Sequence, residues 1–196
     1  MQADNAADLA HFASLAAGGA AAERALTALY DEYARRLLGL LRSKGFMIEE
    51  AEEILQEAFL KLYQARHKLA DVETPKAYLY RTVLNCSTDF LRRKKKAEPE
   101  IGVEPDQLDS AAAPQSEDEG FVDCLQGALV QFEAEAPERA LAIRLAVIEG
   151  MTGQELADAI GRSYGAAREF LSQTRKRFQS LLQELCGDYL PQEAVT

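Results

Sequence analysis

Cysteine and histidine are scarce in this chain of 196 residues, which contains three cysteines and two histidines. Cys86, Cys124 and Cys186 are far apart and form no CxxC pair, so no disulfide framework is expected. The pattern instead predicts buried or free thiols in a reducing compartment. Because neither histidine lies near a cysteine, the sequence also predicts no metal site.

The sequence also lacks a long apolar run and the motifs of an enzyme. No segment is long enough to span a bilayer, and the N-terminus carries acids and small residues in place of a basic and then apolar leader. We therefore expect a cytoplasmic protein with no membrane insertion. There is no glycine loop that could cradle phosphate and no nucleophile paired with a base, so we predict no catalytic residue, no cofactor and no enzymatic activity.

Basic residues are nearly absent from the middle of the chain. Residues 101–160 hold 2 basic and 13 acidic side chains, whereas residues 1–100 hold 15 of each and residues 161–196 hold 5 and 4. The formal net charge of -10 therefore arises mostly in the middle segment. Its field slows association with DNA, although local basic faces decide where contact is made. We expect the protein by itself to bind DNA poorly.

The segment over residues 97–120 contains eight acids and no lysine or arginine. With its proline and alanine, it is typical of a disordered or extended linker. It separates a domain over residues 21–96 from a second over residues 121–186, with an N-terminal extension over residues 1–20 and a tail over residues 187–196. The helical spacing of apolar residues predicts an all-α fold of two small helical domains joined by this acidic linker.

Three helices are predicted in the first domain, over Ala21–Arg42, Ile48–Ala65 and Thr74–Lys96. In the third, an apolar stripe faces inward, while an aromatic, arginines and an amide share the opposite side. Rings stack on unpaired bases and guanidinium groups bind phosphate, so this side suits a nucleic-acid strand; a solvated face with a cationic last turn is the alternative. The stripe consists of Leu79, Tyr80, Val83, Leu84, Cys86, Phe90 and Leu91, and the opposite side of Tyr78, Arg81, Thr82, Asn85, Asp89 and Arg92, followed by the basic run to Lys96.

The second predicted helix has two faces of different chemistry. Its core stripe consists of Ile48, Ala51, Leu55, Ala58, Phe59 and Leu62. On the neighbouring face, Glu52, Glu53 and Gln56 surround Leu60 and Tyr63. An apolar anchor in a charged surround is typical of a protein interface aimed at a basic partner. A solvated acidic face near a helix N-terminus is the alternative.

The second domain contains a helix-turn-helix pattern. Thr152 and Glu155 form a capping box, Gly161 ends the short helix, and Ser163 caps the next one. Arg168, Ser172, Arg175 and Lys176 follow on the outward side of that helix. Arginine commonly reads guanine in a major groove while the other side chains bind phosphate. An ordinary helical hairpin with a polar outer face is the alternative.

The order of these parts resembles the sigma-70 family of RNA polymerase sigma factors, in its short extracytoplasmic-function (ECF) group. The segment Glu50 to Phe59, EAEEILQEAF, is similar to the family's acidic motif. The segment Ala77 to Thr82, AYLYRT, with Asn85, Asp89 and Leu91–Arg93, is similar to its W/Y-L-Y-R...N...D-x-L-R-R motif. EGMTGQELADAIGRSYGAAREFLSQTRKRF resembles its C-terminal helix-turn-helix.

The resemblance implies an alternative sigma factor that binds core RNA polymerase, recognises the minus-35 and minus-ten promoter elements and promotes DNA melting without ATP. It implies contacts with the clamp helices and flap of the polymerase and with promoter DNA. It leaves an anti-sigma factor or other regulator open as a further partner. The clamp contacts fall to Glu52, Glu53, Gln56, Glu57, Leu60 and Tyr63. The minus-ten contacts fall to Tyr78, Arg81, Thr82, Asn85, Arg92 and Arg93, and the minus-35 contacts to Arg162, Ser163, Arg168, Ser172, Arg175 and Lys176.

The recognition helix departs from the family pattern, with Ala166, Glu169 and Phe170 where the family often has threonine, serine and arginine. A glutamate that points toward a groove repels phosphate unless it accepts a hydrogen bond from cytosine. We therefore transfer no promoter sequence to this chain. A second hypothesis is a stand-alone helix-turn-helix regulator whose first domain senses a ligand or dimerises, which would bind duplex DNA without polymerase.

Overall fold

The computed structural model describes residues 2–97 and 117–189, and within them every secondary-structure element is a helix. This confirms the all-α prediction. Most of the predicted linker over residues 97–120 and of the tail over residues 187–196 lies outside the described residues. The helices form two compact units, one built from α1–α4 and the other from α5, α6, α8 and α7 as far as Ala157.

The first unit contains α1 (Gln2–Ala17), α2 (Gly19–Ser43), α3 (Ile48–Gln64) and α4 (Pro75–Ala97), with a 3₁₀ turn at Arg66–Lys68. The predicted bounds of α2, α3 and α4 agree with these within two residues. Gly45 has a positive φ of 86° and closes the turn between α2 and α3, a conformation that glycine adopts without a steric penalty.

Helical periodicity explains the core of the first unit. Buried residues recur every three or four positions in α2 and α3, as an inward apolar stripe requires. Two expected core residues are exposed: Ile48 is 50% exposed and Leu91 is 53% exposed. Ile48 is the first residue of α3 and Leu91 lies in the last two turns of α4, so both lie near helix ends.

The N-terminal helix α1 is an integral part of the first unit. Phe12 and Leu15 are buried, and Asp8 is only 3% exposed although it is an acid. The Tyr33 hydroxyl of α2 donates a 2.5 Å hydrogen bond to the Asp8 carboxylate. The residues predicted as an N-terminal extension therefore contribute a buried polar pair and apolar side chains to this unit.

The second unit contains α5 (Glu117–Glu135), α6 (Pro137–Val147), the part of α7 (Gly153–Ile160) up to Ala157, and α8 (Tyr164–Cys186), followed by a 3₁₀ turn at Gly187–Tyr189. Its core is formed by Phe132, Ala140 and Ile143, against which Phe178 and Leu181 pack. Gly161 has a positive φ of 69°, which allows the tight turn between α7 and α8 that the sequence predicted.

One prediction about cysteine is wrong for this unit. Cys124 of α5 and Cys186 at the end of α8 form a disulfide, although free or buried thiols were expected for both. The two residues are 62 positions apart in the sequence, and only the antiparallel packing of α5 on α8 brings their Cα atoms to 5.9 Å. Cys86 is a buried free thiol, as expected.

Candidate functional site

The acidic face predicted on α3 is open to solvent. Glu52, Glu53 and Gln56 are exposed, and Leu60 is 56% exposed beside them. Tyr63 is half-buried, with the Arg66 guanidinium 4.5 Å from its ring centroid. An exposed leucine within a ring of acids and an amide is the arrangement that the sequence predicted for a protein interface.

Glu57 differs from the rest of the predicted clamp set because it faces α4. Its carboxylate accepts hydrogen bonds of 2.7 and 3.3 Å from Arg93. It also forms an ion pair of 2.9 Å with Lys61. The Arg93 bond, and then the Lys61 bond, lower the pKa of Glu57 to about 2. Two residues that were assigned to different partners, Glu57 and Arg93, are thus each other's partner.

Further ion pairs extend this network along the α3–α4 contact. Glu50 accepts a hydrogen bond of 2.9 Å from Lys94 and another from the backbone nitrogen of Met47 at the start of α3. The Lys94 bond lowers the pKa of Glu50 despite partial burial. Asp89 accepts from Arg92 at 3.2 Å and from Lys61 at 3.5 Å. The basic end of α4 is therefore held against the acidic flank of α3.

The apolar stripe of α4 packs inward as expected over Leu79, Tyr80, Val83 and Cys86, which are all buried. Of the six predicted minus-ten residues, Arg81, Asn85, Arg92 and Arg93 are exposed, whereas Tyr78 and Thr82 are half-buried. The Thr82 hydroxyl donates to the Tyr78 carbonyl oxygen at 2.8 Å, so its proton is directed to the helix backbone. The exposed set is thus narrower than the six residues that the resemblance implied.

Tyr78 has a neighbour that the sequence reasoning missed. Its ring meets the ring of Phe12 edge-on, with centroids 6.0 Å apart and planes at 87°. Edge-to-face pairs of this kind are favourable beyond the area they bury. The apolar positions of α1 were the available signal, but nothing in the local pattern connects residue 12 with residue 78.

The recognition helix α8 begins as predicted. The Ser163 side chain accepts a hydrogen bond from the Ala166 backbone nitrogen, so this serine is the N-cap. The structure brings together four of the six predicted minus-35 residues: Arg168, Ser172, Arg175 and Lys176 line an open groove of about 480 Å³. All four side chains are exposed.

Arg162 does not line that groove. Its guanidinium lies 4.1 Å from the ring centroid of Phe170 and makes an ion pair of 3.0 Å with Glu138. A second guanidinium, from Arg139, lies 4.8 Å from the same ring and donates to the buried Thr174 hydroxyl. Phe170, one of the departures from the family pattern, is therefore a packing surface for two arginines.

No group of three or more histidine, cysteine, aspartate or glutamate side chains in residues 2–97 and 117–189 is arranged to hold a metal ion. Over the same residues, no helix has the length and apolar character needed to cross a membrane.

Comparison with known proteins supports the resemblance that the sequence motifs indicated. The family model for sigma-70 region 2 matches residues 29–97, which include α3 and α4. The chain is 28% identical over 161 residues to RNA polymerase sigma factor SigZ of Bacillus subtilis (strain 168), covering 81% of this chain and 87% of that protein. It is 28% identical over 158 residues to the RNA polymerase sigma-E factor of Streptomyces avermitilis (79% and 85% covered). It is 27% identical over 164 residues to RNA polymerase sigma factor CarQ of Myxococcus xanthus (84% and 92% covered). The region-2 match and these relatives bear out the resemblance of this chain to the sigma-70 family of RNA polymerase sigma factors, in its ECF group.

Proposed function

We propose that this protein is an alternative sigma factor that binds core RNA polymerase with α3, takes the melted minus-ten strand on α4 and contacts the minus-35 element with α8. The resemblance to sigma factors supports a role in transcription initiation. The observation that carries the finer proposal is an exposed acidic face with an apolar anchor on α3, beside an exposed basic and amide face on the helix packed against it.

The α3 face is suited to a basic helical partner. Glu52, Glu53 and Gln56 offer charge and hydrogen-bond acceptors around the exposed Leu60 side chain. Burying Leu60 would supply apolar free energy of about 25 cal/mol per Å², and the surrounding acids would favour a cationic surface. We assign this face to the clamp helices of the largest polymerase subunit.

The exposed face of α4 is suited to binding single-stranded DNA. Arg81 and Arg92 can bind phosphates, Asn85 can hydrogen-bond a base edge, and Tyr78 presents part of its ring. Capture of unstacked bases would offset the cost of unpairing, which is a few kcal/mol per base. This accounts for strand opening without ATP.

The second unit offers two surfaces. Arg168, Ser172, Arg175 and Lys176 suit duplex DNA, with the arginines able to read guanine. A second groove of about 350 Å³ between α5, α6 and α8 is almost wholly apolar, and Val147 and Ile148 at its edge are 67% and 63% exposed. We assign this groove to the polymerase flap.

The proposal is tested by combining the purified protein with core polymerase and mapping run-off transcripts on host genomic DNA. We expect specific start sites, and we expect Glu53→Ala with Gln56→Ala to weaken core binding by about fivefold or more without loss of helicity. Glu23→Ala, an exposed acid on α2, is the matched control. If the protein fails to bind core yet binds a duplex specifically, the stand-alone regulator replaces this proposal.

DNA reading by α8 has a matched pair of variants. Arg175 lines the groove, whereas Arg177, on the same helix, pairs with Glu135 at 3.6 Å. Arg175→Ala should weaken binding of holoenzyme to its upstream element, whereas Arg177→Ala should not. An equal loss on every DNA sequence would make Arg175 a phosphate contact in place of a base reader.

A further inference from the structure

The disulfide between α5 and α8 is not accounted for by the function proposed above. Cys124 is half-buried in the second turn of α5, and Cys186 is the last residue of α8 and is 1% exposed. No spacing pattern in the sequence predicted the bond.

The bond lies at one end of the α5–α8 contact. Phe132, eight residues after Cys124, packs its ring 5.1 Å from that of Phe178, which is eight residues before Cys186. Eight residues of helix span about 12 Å, so the bond fastens the last two turns of α8 to the start of α5. Leu125 and Leu129 of α5 and Phe178 and Leu182 of α8 line the apolar groove over this stretch.

Two contacts that do not need the bond hold the rest of the unit together. The core of Phe132, Ala140 and Ile143 packs against Phe178 and Leu181, away from the cysteines. Arg139 bonds the buried Thr174 hydroxyl of α8 at 3.1 Å. Opening the disulfide would therefore leave the unit folded but would release the end of α8.

We propose that Cys124–Cys186 is a thiol–disulfide exchange site whose co-substrate is a dithiol, and that its opening frees the last two turns of α8 from α5. A protein that works with RNA polymerase meets a reducing milieu, where persistent disulfides are rare and those present are usually catalytic or redox-sensing. This step of the inference rests on the proposed function.

Exchange is directed to Cys124 because this residue is half-buried, whereas Cys186 is only 1% exposed. A thiolate of the dithiol attacks Cys124 Sγ, forms a mixed disulfide and expels Cys186 as a thiolate, which takes up a proton. The second thiol of the dithiol then attacks the dithiol's other sulfur, which is bonded to Cys124 in the mixed disulfide, and Cys124 leaves as a thiolate that takes up a proton. The protein gains two thiols, and the dithiol leaves as a disulfide, so atoms and electrons balance.

Opening changes the groove because α5 and α8 form two of its walls, with α6 as the third. With the bond intact, Leu125 and Leu182 are held on facing helices. Without it, this end of α8 depends on half-buried leucines, on Leu185, which is 43% exposed, and on Tyr189 of the following 3₁₀ turn, whose ring lies beside Gly120 at the start of α5. The oxidised form thus presents a fixed apolar groove to the flap, and the reduced form presents a looser one.

The test uses the full chain, oxidised or equilibrated with dithiothreitol, with thiols alkylated and counted by mass spectrometry and amide hydrogen exchange followed in parallel. Native protein should open the disulfide, and amides of residues 181–186 should then exchange about tenfold faster or more, while those of residues 167–175 stay within about twofold. The double variant Cys124→Ser, Cys186→Ser should reproduce the reduced pattern. Cys86→Ala, which removes the free thiol of the first unit, should not.

The site of attack is tested by adding reduced glutathione to the oxidised chain, quenching with acid at early times and mapping the adduct. The first mixed disulfide should lie on Cys124. An adduct on Cys186, a disulfide that opens only when the unit unfolds, or equal exchange rates in the two redox states would each overturn the inference.

Core-polymerase binding is measured in both redox states to keep the two proposals apart. Binding through α3 should not depend on the disulfide, whereas the flap contact through the apolar groove should weaken when the disulfide is open. A chain that binds core in neither state contradicts the proposed function, whereas the exchange measurements on the chain alone still decide the redox site.

Discussion

The buried pair of Asp8 and Tyr33 links the stability of the first unit to pH through a single hydrogen bond. Burial raises the pKa of Asp8 above its ordinary value of 3.8, although the Tyr33 hydrogen bond opposes that rise. Burial and the same bond raise the pKa of Tyr33, so its hydroxyl remains protonated and donates. Because the folded pKa of Asp8 is raised, its contribution to stability is fully present below pH 3.8 and is lost as pH rises through the folded value.

Tyr33→Phe removes the hydroxyl that donates a hydrogen bond to the buried Asp8 carboxylate. The carboxylate would then be buried without that bond, which should lower the free energy of unfolding by about 1–3 kcal/mol at pH 7. The loss should be smaller near pH 4, where more of the acid is protonated. Urea unfolding at pH 7 and at pH 4 measures the loss of unfolding free energy at each pH. Tyr30→Phe is the control, because Tyr30 lies on the same helix and is 40% exposed. Equal losses at both pH values would contradict this account.

The contribution of Glu57 to stability depends on pH in the opposite direction. Because Arg93 and Lys61 lower its pKa from 4.5 to about 2, its contribution to stability is present above pH 4.5 and is lost as pH falls through about 2. Glu57→Gln should cost up to about 1 kcal/mol at pH 7, a modest value because the pair is partly exposed and screened. The difference in unfolding free energy between the variant and the wild type should shrink as pH falls from 4.5 to 2. Chemical unfolding at several pH values measures this difference. A difference that does not change with pH would assign the effect to packing.

At the scale of elements, α1 supports α4. Phe12 is 1% exposed and contacts Tyr78 edge-on, so α1 constrains a side chain that we assign to the minus-ten strand. The helix therefore has a structural role in the first unit and a positioning role toward the α4 face.

Phe12→Ala should lower the free energy of unfolding of the first unit by about 3–5 kcal/mol, because it leaves a cavity in a packed core. Leu9→Ala, on the same helix but 39% exposed, is the matched control and should cost much less. Thermal unfolding followed by circular dichroism compares the two. If the two variants melt alike, α1 does not pack as described here.

At the scale of the whole molecule, charge is distributed unevenly. The net charge of -10 repels nucleic acid and favours a cationic protein partner, so assembly with polymerase should precede DNA contact. The exposed acids of α3 would contribute to that attraction, and the salt concentration determines the screening length over which they act.

Raising the ionic strength from about 0.1 M to about 1 M shortens the screening length from about 10 Å to about 3 Å. The affinity of the wild-type chain for core polymerase should therefore fall with salt, and the affinity of Glu53→Ala should fall less steeply. Titrations at several salt concentrations give the two slopes, with Glu23→Ala expected to match the wild type. Parallel slopes for Glu53→Ala and wild type would remove Glu53 from the interface.

The spacing of apolar residues along the sequence determined the positions of many helices in this protein. Apolar spacing of three and four residues predicted α2, α3 and α4 within two residues of their bounds, because an amphipathic helix must turn one side to a core. The exposed face of α3 and the outward line of α8 followed from the same periodicity. The order of the motifs predicted the similarity to RNA polymerase sigma factors.

Only the tertiary structure decided which side chains satisfy one another. Periodicity gives the side of a helix but not the element that covers it, so Glu57 with Arg93, Phe12 with Tyr78, and Arg162 with Phe170 could not be predicted from local sequence. The Cys124–Cys186 bond is the clearest case, since residues 62 apart become neighbours only when α5 and α8 pack antiparallel. Helix formation is set by local sequence, whereas pairing between helices depends on distances that exist only after the chain has folded.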